Sequence, residues 1–600
     1  MKKNWILGIA TLLLMSSCVK DDENRLSLAN DVWKWNIELK DVEHVPAEKT
    51  AEYTIDGETL TVGPWIAGKK DVRLQYQCSL PLQEGTIEGR FFTEDLYPRE
   101  GNIWITYKKG RKTITELNYW FGVTDEWKDF RFPVFAPPAE CDSVVLSFGF
   151  HMKTHGKLHL SGLRFGAPLQ LPVVENPEPE LTRSAAPSPF EPSEFVRLEQ
   201  SEDGTWWLVD TDGKPFYAKA CAMYNNHSTP EESYPVLENL GFNTIANGSN
   251  LKDWSEFNEK QRTEGNPTVF QFYRVNTDIS ARSPYVGLMN AEEAASNDDP
   301  DAGMAAIGGF NHAFPDPFDP NWEADARRQV REVVATFRDK PYFMVWMAAN
   351  ERSHWNLYRY VWSPYCAKEF GKFLQEKYST IADLNESWNT NFESFSDLMS
   401  KRPEPEVIEG NKYEDFNTFS RVILKTFNDK VLRIIHEEDP GRLVFTNRFM
   451  IHEVRGVFDN LDLYEGFDGV AVNIYPSNDV WGLDLAERQY LTLMHENTGK
   501  PLMICEWSVP ALDSHLYDNP NKLDWSYPQV MKTQTDRAQQ VAQVSADFYN
   551  MPFVVGAHWF SWGDFKHKTR QSNRGIFHND GVTPWPEVQE ALKNVNKRMN

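Results

Sequence analysis

Between residues 215 and 560, short apolar runs alternate with long amphipathic segments, and no other feature restricts the fold of this chain as tightly. The runs fall at residues 215–222, 243–246, 270–275, 343–349, 443–446, 470–474, 502–505 and 554–560. Between them, apolar side chains recur at helical spacing, as in Val330, Val333, Val334 and Phe337, and again in Phe427, Val431, Ile434 and Ile435. Strands that alternate with helices imply a parallel sheet covered by helices. The first run is not followed by GxGxxG, and GxxxxGK[ST] is absent, so the phosphate-binding turn of an open nucleotide-binding sheet is missing. The expectation is an α/β chain with a closed (β/α)8 barrel over residues 195–600.

Residues 28–170 read differently. Alternating segments at 52–55, 72–78, 103–108, 113–121, 144–150 and 157–165 are broken by turn residues, as in an all-β sandwich. Trp33, Trp35, Trp65, Trp104, Trp120 and Trp127 lie here. Some could form a platform for sugars, although any single ring more often fills a core. The ending Leu160-Ser161-Gly162-Leu163 resembles carbohydrate-binding sandwiches that precede glycosidase barrels. Residues 171–194 hold Pro172, Pro177, Pro179, Pro187, Pro189 and Pro192 and are expected to be an extended linker.

The amino end reads as an address. Lys2 and Lys3 precede an apolar run from Trp5 to Met15, and Ser16-Ser17-Cys18 resembles a bacterial lipobox. Residues 1–17 would then be a lipoprotein signal peptide and Cys18 the lipidated anchor. Residues 18–27 form an acidic tether, and Val19-Lys20-Asp21-Asp22-Glu23 resembles the tag that sends Bacteroidetes lipoproteins to the outer face of the outer membrane. The alternative is a plain signal peptide with an incidental cysteine. A secreted, cell-surface protein held to the membrane through Cys18 is expected.

Cys78, Cys141, Cys221, Cys366 and Cys505 form an odd, scattered set rather than a disulfide framework, with Cys78 to Cys141 the one pairing left open. With no CxxC, HExxH or calcium loop, neither a metal nor a cofactor is expected. The net charge of −25 would repel phosphate backbones, which argues against nucleic acid as a partner. The 21 Trp, 22 Tyr and 37 Phe suit a carbohydrate partner, because flat rings stack on the apolar faces of sugars.

In such a barrel, chemistry sits at the carboxyl ends of the strands. Two runs lead straight into a carboxylate there: Met344-Val345-Trp346-Met347-Ala348-Ala349-Asn350-Glu351, and Pro501-Leu502-Met503-Ile504-Cys505-Glu506. Glycosidic hydrolysis needs a pair of acids, one to donate a proton and one to stay charged opposite the anomeric carbon. Glu351 is assigned as the acid/base, held protonated by an apolar surround and its partner's charge, and Glu506 as the nucleophile. A strand-end glutamate taken alone is commonly a salt bridge to a nearby loop.

These segments resemble the signature of glycoside hydrolase clan A, retaining (β/α)8 enzymes with acid/base and nucleophile after strands four and seven. The run from Phe467 to Tyr475 resembles the clan's sixth strand, and that resemblance implies that Tyr475 bonds the nucleophile. Gly556-Ala557-His558-Trp559-Phe560-Ser561-Trp562 resembles the eighth, which implies that Trp559 or Trp562 floors the sugar subsite. Within the clan, Asp316-Pro317-Phe318-Asp319-Pro320, the run from Leu384 to Thr390 and the run from Gly241 to Thr244 resemble exo-acting β-agarases and β-galactosidases. Agarases usually carry Asp where this chain has Ala349, and Phe or a similar residue where it has Trp507.

Asn350 is expected to contact the sugar 2-hydroxyl, or else to cap a helix. Arg448, read as lying just beyond strand five, would steady a carboxylate, read a sugar hydroxyl or form a surface ion pair. Asn225, His227 and Asn247 are further mouth-side polar candidates, and His558 reads as a hydrogen-bonded barrel histidine or a sugar contact. The function expected is a retaining β-glycoside hydrolase that cleaves a polysaccharide or its oligosaccharides by double displacement. The rival is an inactive surface lipoprotein that captures glycan. A lyase or esterase lacks support, since no GxSxG elbow is present.

Overall fold

A computed structural model of the 600-residue chain describes residues 26–27, 36–39, 53–56, 59–63, 72–76, 82–97, 101–121, 124, 126–150, 155–168, 170, 178–246, 251–274, 315–351, 361–403, 405, 410–451, 457–476, 480–518, 531–566 and 571–599. Cys18, Cys78 and Asn247 lie outside them.

The amino-terminal part packs two antiparallel sheets face to face. One runs Tyr53–Asp56, Thr59–Val62, His155–Gly166, Gly85–Tyr97, Lys128–Val134, with Leu26–Ser27 also paired to His155–Gly166. The other runs Asn36–Leu39, Val72–Tyr76, Ser143–Phe150, Gly101–Lys109, Lys112–Phe121. Inward-facing Ile87, Phe91, Ile105, Leu146, Phe148, Leu158 and Leu160 are buried between them, each worth roughly 1.5–3 kcal/mol of burial. Trp104 is a core ring at 2% exposure and Trp127 a surface ring at 38%, while Trp33, Trp35 and Trp65 lie outside the described residues. Cys141 is a free, buried thiol, which removes the Cys78–Cys141 pairing.

The described part of the proline-rich stretch, residues 178–194, is fastened to the barrel. Arg183 donates to the carbonyls of Tyr549, Met551 and Val554 at 2.9–3.1 Å and to that of Trp206, and its guanidinium lies over the Trp207 ring at 4.4 Å. A three-stranded antiparallel sheet follows, Arg197–Gln200, Trp206–Val209 and Pro215–Phe216. Its Leu208 joins the inner barrel core, and Phe216 stacks on Phe270 at 4.2 Å. The first apolar run is therefore split: Pro215 and Phe216 belong to this plug, and the barrel begins at Ala218.

The barrel closes from eight parallel strands: β1 (Ala218–Ala222), β2 (Thr244–Ala246), β3 (Phe270–Arg274), β4 (Phe343–Asn350), β5 (Leu443–Met450), β6 (Gly469–Asn473), β7 (Leu502–Trp507) and β8 (Val554–Phe560). Closure comes from β1 against β8, with Ala218 opposite Gly556 and Ala222 opposite Phe560. Ala218, Ala220, Met347, Phe445, Ala471, Met503 and Val555 fill the interior. Gly469 is required beside this filling, since a Cβ there would stand 2.4 Å from the Phe445 ring. The helical stripes behave as their spacing demands: Val330, Val334, Phe337, Phe427, Val431, Ile434 and Ile435 are all buried against the strands.

Asp319 caps the helix Pro320–Phe337 through the Asn321 N–H at 2.8 Å. Asp316 reaches across to the helix Pro364–Lys377, accepting from the backbone of Tyr365 and Cys366 at 2.9 and 3.0 Å. That supplies the cap which Ser363 leaves unfilled. No described helix is long and apolar enough to cross a membrane.

Candidate active site

Strict alternation along β7 would send Glu506 outward, because Cys505 belongs to the inner core. The ladders explain why it turns in. Ile504 pairs with Val472 but Glu506 with Asn473, and on the other side Ile504 pairs with Ala557 but Trp507 with Trp559. One extra residue is thus inserted into β7 against both neighbours, and such a bulge re-aims the side chain beyond it. Glu506 then meets two donors: Arg448 Nη1 lies 2.6 Å from Oε1, and the Tyr475 hydroxyl donates to Oε2 at 2.9 Å.

Glu351 is placed by backbone conformation. It follows β4 directly, has φ of +50°, and its N–H donates to the Arg448 carbonyl at 3.2 Å. The left-handed region costs a non-glycine residue about 1–2 kcal/mol, and such strain concentrates at functional sites. The half-buried carboxylate accepts from Asn473 Nδ2 at 2.7 Å. Two acids far apart in sequence are therefore joined through neighbours on β5 and β6, one held by a neutral amide and the other by a cation and a phenol.

Arg448 lies inside β5, opposite Asn350, rather than beyond the strand, and it is wholly buried. Burial works to lower its pKa, but the negative charge of Glu506, with that of Glu351, outweighs that and raises it, so it stays charged. His558 shares this interior, in register with Ala220. Burial, aided by the Arg448 charge, pushes its pKa down to about 3, so it is neutral. Among the described residues, no group of three or more His, Cys, Asp or Glu is placed to hold a metal.

The two tryptophans expected to floor the subsite do not face the mouth. Trp559 is 1% exposed and packs edge-on against Trp507 at 4.9 Å, in the layer between strand and helix. Trp562 is 2% exposed, lies against Phe577 at 4.8 Å and donates Nε1 to the Gly581 carbonyl. The ring facing inward is half-buried Phe560, 5.2 Å from Tyr224 and stacked on Phe565 at 5.4 Å. Counting by twos from Gly556 through His558 reaches Phe560, and that arithmetic would have found it.

Asn225 has φ of +57° and donates to the Asp564 carbonyl at 2.8 Å, which ties the loop after β1 to the loop after β8. His227 is exposed, and Asn350 is buried at the end of β4. Three residues near the acids had no assigned part: Asn473, Phe560 and Arg574, whose guanidinium lies 4.5 Å over the Tyr475 ring.

A family model described as β-galactosidase matches residues 297–524, a span that contains Glu351, Arg448, Asn473, Tyr475 and Glu506. The barrel resembles those of clan A glycoside hydrolases. Among relatives of the clan, β-galactosidase Bga of Halorubrum lacusprofundi is 25% identical over 207 residues, 33% of this chain and 28% of that protein. β-Galactosidase bgaB of Geobacillus kaustophilus is 25% identical over 312 residues, 47% of this chain and 43% of that protein. The chain thus spans less than half the length of either relative. The solved agarase AgWH50C superposes with a TM-score of 0.54 at 14% identity, covering 96% of this chain and 99% of that one, so the two share a fold.

Proposed function

We propose that this chain is a retaining β-glycoside hydrolase, with Glu506 as nucleophile and Glu351 as acid/base. The observation that carries the reading is the unequal treatment of the two carboxylates. Glu506 is enclosed with a buried guanidinium on one oxygen and a phenol on the other. Together they fix the orientation of the carboxylate, as a nucleophile attacking one carbon requires. Glu351 is half-exposed and accepts from the Asn473 amide, so it is open to a leaving oxygen and to water as an acid/base must be.

In the first step a Glu506 oxygen bonds to the anomeric carbon while the bond to the departing oxygen breaks, and Glu351 gives that oxygen its proton. In the second, Glu351 takes a proton from water, whose oxygen displaces Glu506 from the same carbon, so two inversions restore the starting configuration. Such chemistry places the carboxyl groups roughly 5–5.5 Å apart, against about 6.5–9.5 Å for an inverting enzyme.

For substrate we propose β-linked galactose in a polysaccharide or its oligomers, since the relatives are β-galactosidases and the superposed structure is an agarase. The rings of Phe560, Tyr224 and Phe565 supply an aromatic surface suited to a pyranose. Lipidation at Cys18 and display on the outer membrane complete the proposal, and radiolabelled palmitate incorporation lost in Cys18→Ala tests that part.

The catalytic assignment is tested with Glu351→Ala and Glu506→Gln on agaro-oligosaccharides and 4-nitrophenyl β-D-galactopyranoside. Both should lose turnover, and azide should restore Glu351→Ala with a β-glycosyl azide as product. Undiminished turnover in Glu506→Gln, or an α-azide from Glu351→Ala, would overturn it. Glycan binding without turnover by the unaltered protein would favour a capture protein instead.

A further inference from the structure

We propose that Arg574 is a positioning residue of this centre: from the loop after β8 it holds the Tyr475 phenol against Glu506. Each oxygen of the nucleophile then answers to a guanidinium, Oε1 directly through Arg448 and Oε2 through the tyrosine. The inference rests on the catalytic reading above.

Tyr475 lies two residues past the end of β6, so no strand ladder orients its ring. What covers the ring is Arg574, 4.5 Å from its centroid and itself only 4% exposed. A cation over an aromatic face is attracted to it within about 6 Å, and more strongly when water is excluded. The same positive charge draws electron density from the phenol oxygen, which makes the hydroxyl a better donor to Glu506 Oε2, 2.9 Å away.

The described residues on either side of Arg574 are held by a dense set of hydrogen bonds. The start of the loop after β8 is bound to the end of β1, with Trp562 N–H donating to the Ala222 carbonyl at 2.8 Å and Gly563 N–H to that of Tyr224 at 3.1 Å. Asp564 is wholly buried and ties down the residues on both sides of Arg574. It accepts from Asn573 Nδ2 at 3.1 and 3.2 Å and from the Gly575 N–H at 2.7 Å, with Trp585 Nε1 adding a fourth bond at 2.9 Å. Arg537 donates to the Gly575 carbonyl at 2.9 Å, and the Arg574 carbonyl accepts from Ser561 at 3.0 Å. A Cβ on Gly575 would stand 2.1 Å from the Phe577 carbonyl oxygen and 2.3 Å from the Asp564 nitrogen, so the crossing admits only glycine. With its backbone fixed on either side, Arg574 reaches from the loop after β8 to Tyr475 beyond the end of β6 as a brace.

A double-mutant cycle on the full chain tests this, with Arg574→Met, Tyr475→Phe and both together, assayed on 4-nitrophenyl β-D-galactopyranoside and agaro-oligosaccharides. Arg574→Met should lower kcat about tenfold with KM little changed, the scale of a shielded cation–π contact. In Tyr475→Phe it should cost less than about twofold, because the hydroxyl through which it acts is gone. Arg574→Lys, which keeps charge but not the planar stack, should fall between. Equal losses in both backgrounds would overturn the proposal, as would an effect confined to KM, which would make Arg574 a substrate contact. If Arg574→Met does not fold by circular dichroism, the Lys variant in the two backgrounds decides the same question. Turnover surviving in Glu506→Gln sinks the hydrolase reading itself, whereas turnover lost there with additive Arg574 and Tyr475 effects sinks only this brace.

Discussion

Arg448 and Glu506 meet at 2.6 Å with the guanidinium fully enclosed and the glutamate 7% exposed. An ion pair so placed is unforgiving, since losing one partner strands the other in a poorly solvated interior. Arg448→Met is expected to lower stability by about 3–5 kcal/mol and to abolish turnover. Thermal unfolding and progress curves check both, and a variant with parental stability and rate would show that the pair is incidental.

Asn473 serves the other acid. Its amide donates at 2.7 Å to Glu351 and so holds in place the carboxyl that must protonate a leaving oxygen. Asn473→Ala should slow hydrolysis about 10²-fold for poor leaving groups that need the proton, the scale of general acid catalysis, and much less for 4-nitrophenolate. Equal losses on both substrates would count against the assignment.

Phe560 and Trp559 are neighbours in sequence on opposite faces of β8. Trp559→Ala removes a ring buried between strand and helix and should cost about 3–5 kcal/mol of stability, with KM preserved in whatever remains folded. Phe560→Ala should raise KM several-fold and leave unfolding near the parental temperature. The reverse pattern would restore Trp559 as the floor of the subsite.

Stability should also respond to His558. Burial pushes its pKa down to about 3, whereas the unfolded chain takes up the proton near pH 6.5, so stability is lost as pH falls from about 6.5 toward 3. Asp564, pushed up to about 6 by burial, slopes the opposite way between about 4 and 6, so the comparison must be with the parent protein. His558→Gln should lose less melting temperature than the parent between pH 7 and pH 5. Parallel curves would contradict this.

Much of this architecture could be read before the structure. The barrel strands are apolar runs of the right length, and an acid placed directly after such a run points to the mouth. The sandwich was harder, because the long strand Gly85–Tyr97 interrupts its alternation with Gly85, Gly89 and a left-handed Asp95. Gly89 is there for closeness, since a Cβ would come 3.0 Å from the Ser161 carbonyl oxygen. At the site, Arg448 and Tyr475 were named as candidates, but Asn473 and Arg574 were not. Their significance lies in which side chain sits across the barrel, and local pattern carries no record of that. Trp559 is the wrong residue because the resemblance to the clan's eighth strand names a residue type, whereas strand phase decides which ring faces inward.

The central claim is that Glu506 forms a covalent bond to the sugar. Incubation with 2,4-dinitrophenyl 2-deoxy-2-fluoro-β-D-galactopyranoside, followed by peptide mass spectrometry, reads that bond directly. The account predicts one fluorogalactosyl group per chain, attached to Glu506, with activity lost in step. Labelling of another residue, or inactivation without any adduct, would contradict it.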